Sequence, residues 1–196
     1  MPRAGLDTTA VVQAAAELVN AQGLEALSIT RLAALLGVRA PSIYNHVGGL
    51  PDLRRELALL GLRRMGECMA EAAIGKAGPP ALLGVALAYR TFIKENPGVY
   101  NAGLRASGNM KTVDEQIQQA EERVLRIVMN IIQSFGLDWE EGLHAARALR
   151  SLVHGFATLE VSGGFGLPLD LDESFRRLVE LLSAGMQQQA RESTKT

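Results

Sequence analysis

Glu140 and His144 stand four residues apart, with His154 further along the same helical pattern. A carboxylate and an imidazole on one helix face are groups that hold zinc or move a proton. No third ligand of convincing spacing accompanies them, and Cys68 lies far away in sequence. At this spacing a Glu–His pair is ordinarily a solvated pair on a helix surface. There is no serine-histidine-acid order, no nucleophile elbow and no phosphate loop, and the glycines of "SGGFG" follow no strand. The expectation is a non-enzyme with no metal and no cofactor.

A different chemistry is written in "VRAPSIYNHV", Val38 to Val47. Ile43 and Val47 lie four apart and are expected to face inward with Leu32, Leu35 and Leu36. Ser42, Asn45 and His46 fall on other faces of the same short helix, with Tyr44 near the edge. Pro41 starts it at a place where a missing N–H costs nothing. So short a helix adds little core, yet it presents hydrogen-bonding groups, and a duplex major groove admits one helix and is read by such groups. Ordinary solvated residues on a minor helix would have the same spacing. Charge does not separate the two: the first fifty residues carry Arg3, Arg31 and Arg39 against Asp7, Glu17 and Glu25.

The elements that must hold this stretch are helical throughout. Thr8 or Thr9 caps a first helix through about Asn20, with Val11, Val12, Ala15, Leu18 and Val19 on one face, and Gly23 stops it. Ser28 caps a second that ends at Gly37. A long helix follows Pro51 to about Ala73 and is closed by the breakers Gly75, Gly78, Pro79 and Pro80. Leu82–Glu95 and Gly98–Ala106 are divided by Asn96-Pro97, since the residue before a proline is pushed out of helical dihedrals. Thr112 with Glu115, Asp138 with Glu141, and Asp170 with Glu173 have the spacing of N-terminal caps. The last two helices are expected near 139–162 and 172–190, with a frayed tail. No stretch alternates with the period of a strand, so the fold class is all-α with about nine helices and no sheet.

The 196-residue chain has a formal net charge of −1, with 47% hydrophobic and only 5% aromatic residues, the palette of packed aliphatic helices. No overall basic excess advertises nucleic acid, so any such role must be local. A single cysteine rules out an internal disulfide and fits a reducing compartment. The run "AVVQAAAELV" is interrupted by Gln13 and Glu17 and lacks a basic lead, and no apolar stretch is long enough to span a bilayer. A cytoplasmic protein without a membrane partner is expected.

The segment "LSITRLAALLGVRAPSIYNHVGGLPDLRREL", Leu27 to Leu57, resembles the DNA-binding region of TetR-family transcriptional regulators. The resemblance is carried by Ala33-Ala34, the turn Gly37-Val38, Pro41, and then Ser42, Tyr44 and His46 in fixed register. Near the C-terminus "LVHGFATLEVSGGFGLP" resembles a subgroup with a histidine-glycine signature in its penultimate helix. The resemblance implies a helix-turn-helix domain over 1–50 and a regulatory domain over 51–196, made of a connecting helix, 51–74, and ligand-binding and dimerisation helices, 80–190. It further implies a homodimer whose heads enter successive major grooves, about 34–36 Å apart, on a palindromic double-stranded operator. By the same resemblance Thr30, Arg39, Ala40, Pro41 and Ser42 approach base edges, Ser28, Tyr44 and His46 hold phosphates, and Asn45 serves either. One departure stands out. Where many members have a lysine after the recognition helix, this chain has Gly48-Gly49-Leu50, leaving Arg54, Arg55 and Arg3 as substitutes.

In the C-terminal half, Leu149, Leu152, Val153, Phe156 and Leu159 form one stripe, and Phe175, Leu178, Val179, Leu182 and Met186 another, with Leu181 to its side. Apolar width beyond one buried face predicts a partner copy, joined as a four-helix bundle. Met65, Met69, Tyr89, Phe92, Tyr100, Leu104, Met129 and His154 are the adaptable or polar-tipped residues that line small-molecule cavities. The expected function is a ligand-responsive regulator, a repressor released by a small apolar effector. The alternative is a helical small-molecule-binding or interaction protein with degenerate DNA affinity.

Overall fold

The computed structural model describes residues 6–107 and 114–193. Among these residues there are nine α-helices and no strand: α1 (Thr8–Gln22), α2 (Ile29–Leu36), α3 (Ala40–Tyr44), α4 (Leu50–Ala73), α5 (Gly78–Glu95), α6 (Pro97–Ser107), α7 (Glu115–Gln133), α8 (Trp139–Val161) and α9 (Leu171–Ser193). A 3₁₀ turn, Leu24–Ala26, joins α1 to α2.

Side-chain caps set most of the helix starts. Asp7, rather than Thr8 or Thr9, caps α1, its carboxylate accepting from Ala10 N at 2.7 Å. A carboxylate does this better than a hydroxyl because it also meets the positive end of the helix dipole. Asp138 and Asp170 cap α8 and α9 as their spacing predicts. At α7 the cap is Asp114, which accepts from Gln116 N and Ile117 N; Thr112 lies outside the described residues. Pro79 and Pro80 do not break a helix but open α5, four residues earlier than expected. Prolines fit a first turn, where the N–H groups have no intrahelical acceptor. The tail also departs from expectation, because α9 continues to Ser193.

The helices gather into two compact units, Met1–Arg63 with Glu95–Gln118, and Arg64–Lys94 with Gln119–Thr196. Packing therefore does not divide the chain after residue 50: the boundary falls inside α4, and α6 belongs with the N-terminal helices. Within the first unit α6 is pressed against α1 so closely that a Cβ on Gly98 would stand 2.1 Å from the carbonyl oxygen of Val19. Asn20 of α1 supplies the cap, its Oδ1 accepting from Gly98 N at 3.1 Å and Val99 N at 3.0 Å, while its amide donates to Asn96 Oδ1. Gly61 of α4 is crowded in the same way by Val99.

In the second unit Leu82, Val85, Tyr89 and Phe92 of α5 are buried, as are Met65, Met69, Met129 and Ile132. Arg90 is buried there, only 4% exposed. Its guanidinium makes two bonds to Glu160, at 2.7 and 2.8 Å, and one to Asp172 at 2.7 Å. The cation also lies 5.2 Å and 4.9 Å from the ring centres of Phe156 and Phe175. Burial by itself would lower the Arg90 pKa, and the hydrogen bonds to Glu160 and Asp172 outweigh it and leave it raised. The same bond from Arg90, and after it one from Lys94, holds Glu160 below its ordinary 4.5 against the opposing effect of desolvation.

A Gly98→Ala substitution forces the Val19 carbonyl, a backbone atom, to move. The expected loss is about 3 kcal/mol, the upper end for overpacking and larger than the roughly 1 kcal/mol that alanine gains over glycine within a helix; urea denaturation measures it. For Glu160, a lowered folded pKa means that its contribution is present above the unfolded value and is lost as pH falls through the folded one. Glu160→Gln is therefore expected to be less stable than the parent at about pH 7 and to lose less of its remaining stability between about pH 5 and pH 3. Denaturation midpoints compared across that range check the sign.

Candidate nucleic-acid interface

The joint between α2 and α3 is built by glycine geometry. Ser28 caps α2, its Oγ accepting from Arg31 N at 3.2 Å. At the other end Gly37 takes φ 66°, a left-handed conformation that a side chain would strain. There Gly37 N bonds Ala34 O at 3.2 Å and Val38 N bonds Ala33 O at 3.0 Å, the paired closure that turns a chain sharply out of a helix. Arg39 is extended, and α3 begins at once with Ala40-Pro41. Five residues give α3 little strength of its own, so it is anchored from below: Ile43 is wholly buried and Val47 nearly so, alongside Leu32 and Leu53. Leu35, expected in this core, is 58% exposed. The sharp turn at Gly37 carries α3 away from that side of α2, and Leu36 is half-buried.

This anchoring leaves the predicted contact residues on the surface. Thr30, Arg39, Pro41, Tyr44 and Asn45 are exposed, with Tyr44 at 57%, and Ser28, Ala40, Ser42 and His46 are half-buried. Ser28 spends its oxygen on the cap, so what it can offer a phosphate is the hydroxyl proton. Thr8 Oγ1 donates to the carbonyl of His46 and ties the end of the recognition segment to α1.

After α3 the chain turns on Gly49, at φ 120°, and Asp52 in the first turn of α4 accepts from Gly48 N at 2.8 Å. A carboxylate thus lies against the Gly48-Gly49-Leu50 stretch, which carries no cation of its own. Of the three arginines expected to compensate, Arg55 is already engaged by Asp114, Glu56 and Gln116. The bond from Asp114 is the main cause of its raised pKa, and burial opposes it. Arg54 remains exposed on α4, and Arg3 lies outside the described residues. The sequence pattern gave no signal that one neighbour of this pair would be sequestered, because Asp114 is remote in the chain.

The other predicted sites fare differently. Of the ligand-lining candidates, Met65, Met69, Tyr89, Phe92 and Met129 are buried in the second unit and His154 is half-buried there; Tyr100, buried, and Leu104, half-buried, belong to the first. Met129 packs its methyl group against Gly142. Of the dimer candidates, Leu149, Val153, Phe156, Phe175, Val179 and Met186 are buried within the chain, so these six are intramolecular core and not a free face. The apolar face of each helix is consumed by α8 packing on α9 and by Arg90 beneath them. Leu152, Leu178 and Leu182 are half-buried, and Leu159 and Leu181 exposed. Sequence reasoning also missed Arg90, whose isolation in an apolar helix was the one available sign. Among the described residues no group of three or more His, Cys, Asp or Glu is placed to hold a metal, and no helix is long and apolar enough to cross a membrane.

Residues 82–182 match the family model described as the tetracyclin repressor-like C-terminal domain. Over 186 residues the chain is 34% identical to YobS of Bacillus subtilis, a helix-turn-helix-type transcriptional regulator, covering 94% of this chain and 95% of that one. It is 33% identical to a helix-turn-helix-type transcriptional regulator of Mycobacterium tuberculosis, covering 94% of this chain and 83% of that one. The chain belongs to the TetR family. Its fold is that of a TetR variant from Acinetobacter baumannii solved in complex with minocycline, with a TM-score of 0.69 at 21% identity, covering 95% of this chain and 99% of that one. A protein from a Rhodococcus species superposes with a TM-score of 0.81 at 18% identity, over 94% of this chain and 98% of that one. TetR-family proteins are regulators and not enzymes; they bind DNA as dimers and respond to small ligands.

In this TetR-family regulator the two glycines after α3 differ in what a lysine would do there. Gly48 has an ordinary backbone conformation and room for a Cβ, 3.7 Å from Asp52, whereas Gly49 is held at φ 120°. Gly48→Lys is expected to steepen the dependence of log K on log salt by about one unit for each new phosphate contact, while Gly49→Lys mainly strains the turn. Titrations against one operator duplex at stepped salt concentrations measure both.

Proposed function

We propose that the regulator binds a palindromic operator as a homodimer, α3 of each head lying in the major groove, and that a small apolar effector releases it, so that it acts as a repressor. The observation that carries this reading is the division of α3 itself: Ile43 is buried without remainder while Arg39, Pro41, Tyr44 and Asn45 on the same short segment face outward. A helix held from below and polar above is a reader in search of a groove. Thr30, Arg39, Ala40, Pro41 and Ser42 are assigned to base edges, with Ala40 and Pro41 offering apolar contact to a thymine methyl. Ser28, Tyr44 and His46 are assigned to phosphates, and Asn45 to either.

The dimer face we assign to the outward edges of α8 and α9. On α8 this edge is Leu152, Gly155 and Leu159; on α9 it is Leu178, Leu181, Leu182 and Gly185. A Cβ at Gly155 or Gly185 would meet nothing within 4 Å, so both glycines leave room for another backbone to come close. Such a face suits an isologous contact between copies. The effector is assigned to the second unit, among the buried and adaptable side chains Met65, Met69, Tyr89, Phe92 and Met129, with half-buried His154 as a polar tip. The minocycline complex of the A. baumannii protein supports a small-molecule effector for this fold. An effector shifts operator affinity only by its differential affinity for two arrangements of the protein, typically 1–3 kcal/mol.

Base contacts select sequence and phosphate contacts only position the head, so the two classes fail differently. Ser42→Ala is expected to relax preference at one operator position by about 1–3 kcal/mol, and Tyr44→Ala to weaken all duplexes alike without changing the salt slope, since tyrosine is neutral. Competition titrations against single-base variants of the operator separate them. Equal effects on every variant from both substitutions would overturn the assignment of roles.

A further inference from the structure

The connection from α8 to α9, residues 162–170, contains no helix yet is braced at both ends. Gly164 N donates to Leu159 O at 2.7 Å, and Leu169 N to Leu167 O at 2.8 Å. The Phe165 ring lies 4.7 Å from that of Phe156, which in turn meets Phe175 at 5.1 Å. Arg90 grips Glu160 just before the connection and Asp172 just after it. What this bracing presents is apolar: Leu167 is 76% and Leu169 68% exposed, beside a recess of about 310 Å³.

We propose that this loop docks on a second copy of the chain and forms the outer end of the dimer interface. The inference rests on the dimer reading above and adds to it a surface that is not helical. Continuity selects the occupant. Ser174 and Leu171 line the recess, and from Ser174 a stripe at helical spacing runs through Leu178 and Leu181 to Gly185, the α9 edge already assigned to the partner. On α8, Gly155 and Leu159 lead to the same place. Other occupants fit less well. A small ligand is normally about 70–90% enclosed in its site, and the leucines here stand open to solvent. An anionic membrane surface would find no lysine or arginine within residues 162–170 to attract it. Because the loop is already ordered, covering it forfeits little conformational entropy.

Sedimentation velocity over a dilution series of the full chain tests this, with the parent, a Leu167→Asp/Leu169→Asp variant and Leu181→Asp compared. The loop variant is expected to raise the dimer dissociation constant by about tenfold or more, at about 1.4 kcal/mol per factor of ten, with an unchanged thermal unfolding profile because both leucines are exposed in the single chain. In the parent dimer the amides of 163–169 are expected to exchange more slowly than in Leu181→Asp. If the parent dimerises, Leu181→Asp dissociates it and the loop variant does not, the dimer reading stands and the loop proposal falls. A parent that stays monomeric overturns both. A loop variant that dimerises like the parent but no longer binds a small apolar probe or anionic vesicles assigns the surface to that other occupant and overturns the proposal.

Discussion

A helix of five residues cannot hold itself. Nucleation fixes three residues for the first hydrogen bond, and α3 ends before propagation repays it. Its position is therefore decided by what it rests on, which is the burial of Ile43 and Val47, and by the angle at which it leaves α2, which is the closure at Gly37. Everything a duplex would meet depends on these two. The exposed edge of α3 is useful only because its other side is fixed, and a polar group presented by a rigid support loses little freedom when it makes a contact. The bond from Thr8 to the His46 carbonyl extends the support beyond the helix end, where the backbone would otherwise fray.

The same economy of support explains why α6 belongs with the N-terminal helices. Two backbones approach this closely only where one of them has no side chain, and Gly98 provides that. The approach brings Asn20 within reach of two N–H groups at the start of α6, so one residue of α1 satisfies donors that α6 cannot satisfy itself. In the second unit Arg90 plays a comparable part by different means. A cation placed among phenylalanines would be intolerable alone; two carboxylates and two ring faces make it a joint between α5, α8 and α9. Removing Glu160 leaves the buried Arg90 with only the exposed Asp172 to pair with, so the joint is held chiefly by the Arg90–Glu160 pair.

Helix number and most boundaries were legible in the sequence because caps and breakers act locally. Asp138 and Asp170 sit three residues before the N–H they bond, and Gly37 closes α2 within a few residues of the carbonyls involved. The failures have a local cause as well. Pro79-Pro80 signals a break or a start with equal force, and only the chain on either side decides which. Leu35 has the period of a core residue, but period does not say where the chain goes after the turn. The stripes on α8 and α9 were read as apolar, but period did not say which of their residues the chain covers itself: Phe156, Phe175 and Val179 are buried within it, and the edge left outside carries Leu152, Leu159, Leu178 and Leu182 with Gly155, Leu181 and Gly185. Buried methionines and aromatics look alike in a filled core and around a cavity, so the effector residues were never separable by type. The recognition segment was identified by resemblance, since the zero charge balance of the first fifty residues carried no signal.

That neutral balance has a consequence for switching. Nonspecific affinity for DNA is almost wholly electrostatic and is proportional to the phosphates neutralised. A head with Gly48-Gly49-Leu50 where the resembling proteins commonly have a lysine, and with Arg55 occupied by Asp114, has few cations to spend on them. Weak nonspecific attraction means that a larger fraction of operator affinity comes from contacts requiring correct placement of α3. On the proposed reading those contacts are also the ones that depend on how the two heads of a dimer are spaced, because a head set to the wrong spacing keeps its charge but loses its groove. A coupling of about 1–3 kcal/mol between effector and operator then acts on most of the binding energy instead of on a remainder above a strong electrostatic floor. On that reading a lysine-rich head would bind more tightly and release less completely.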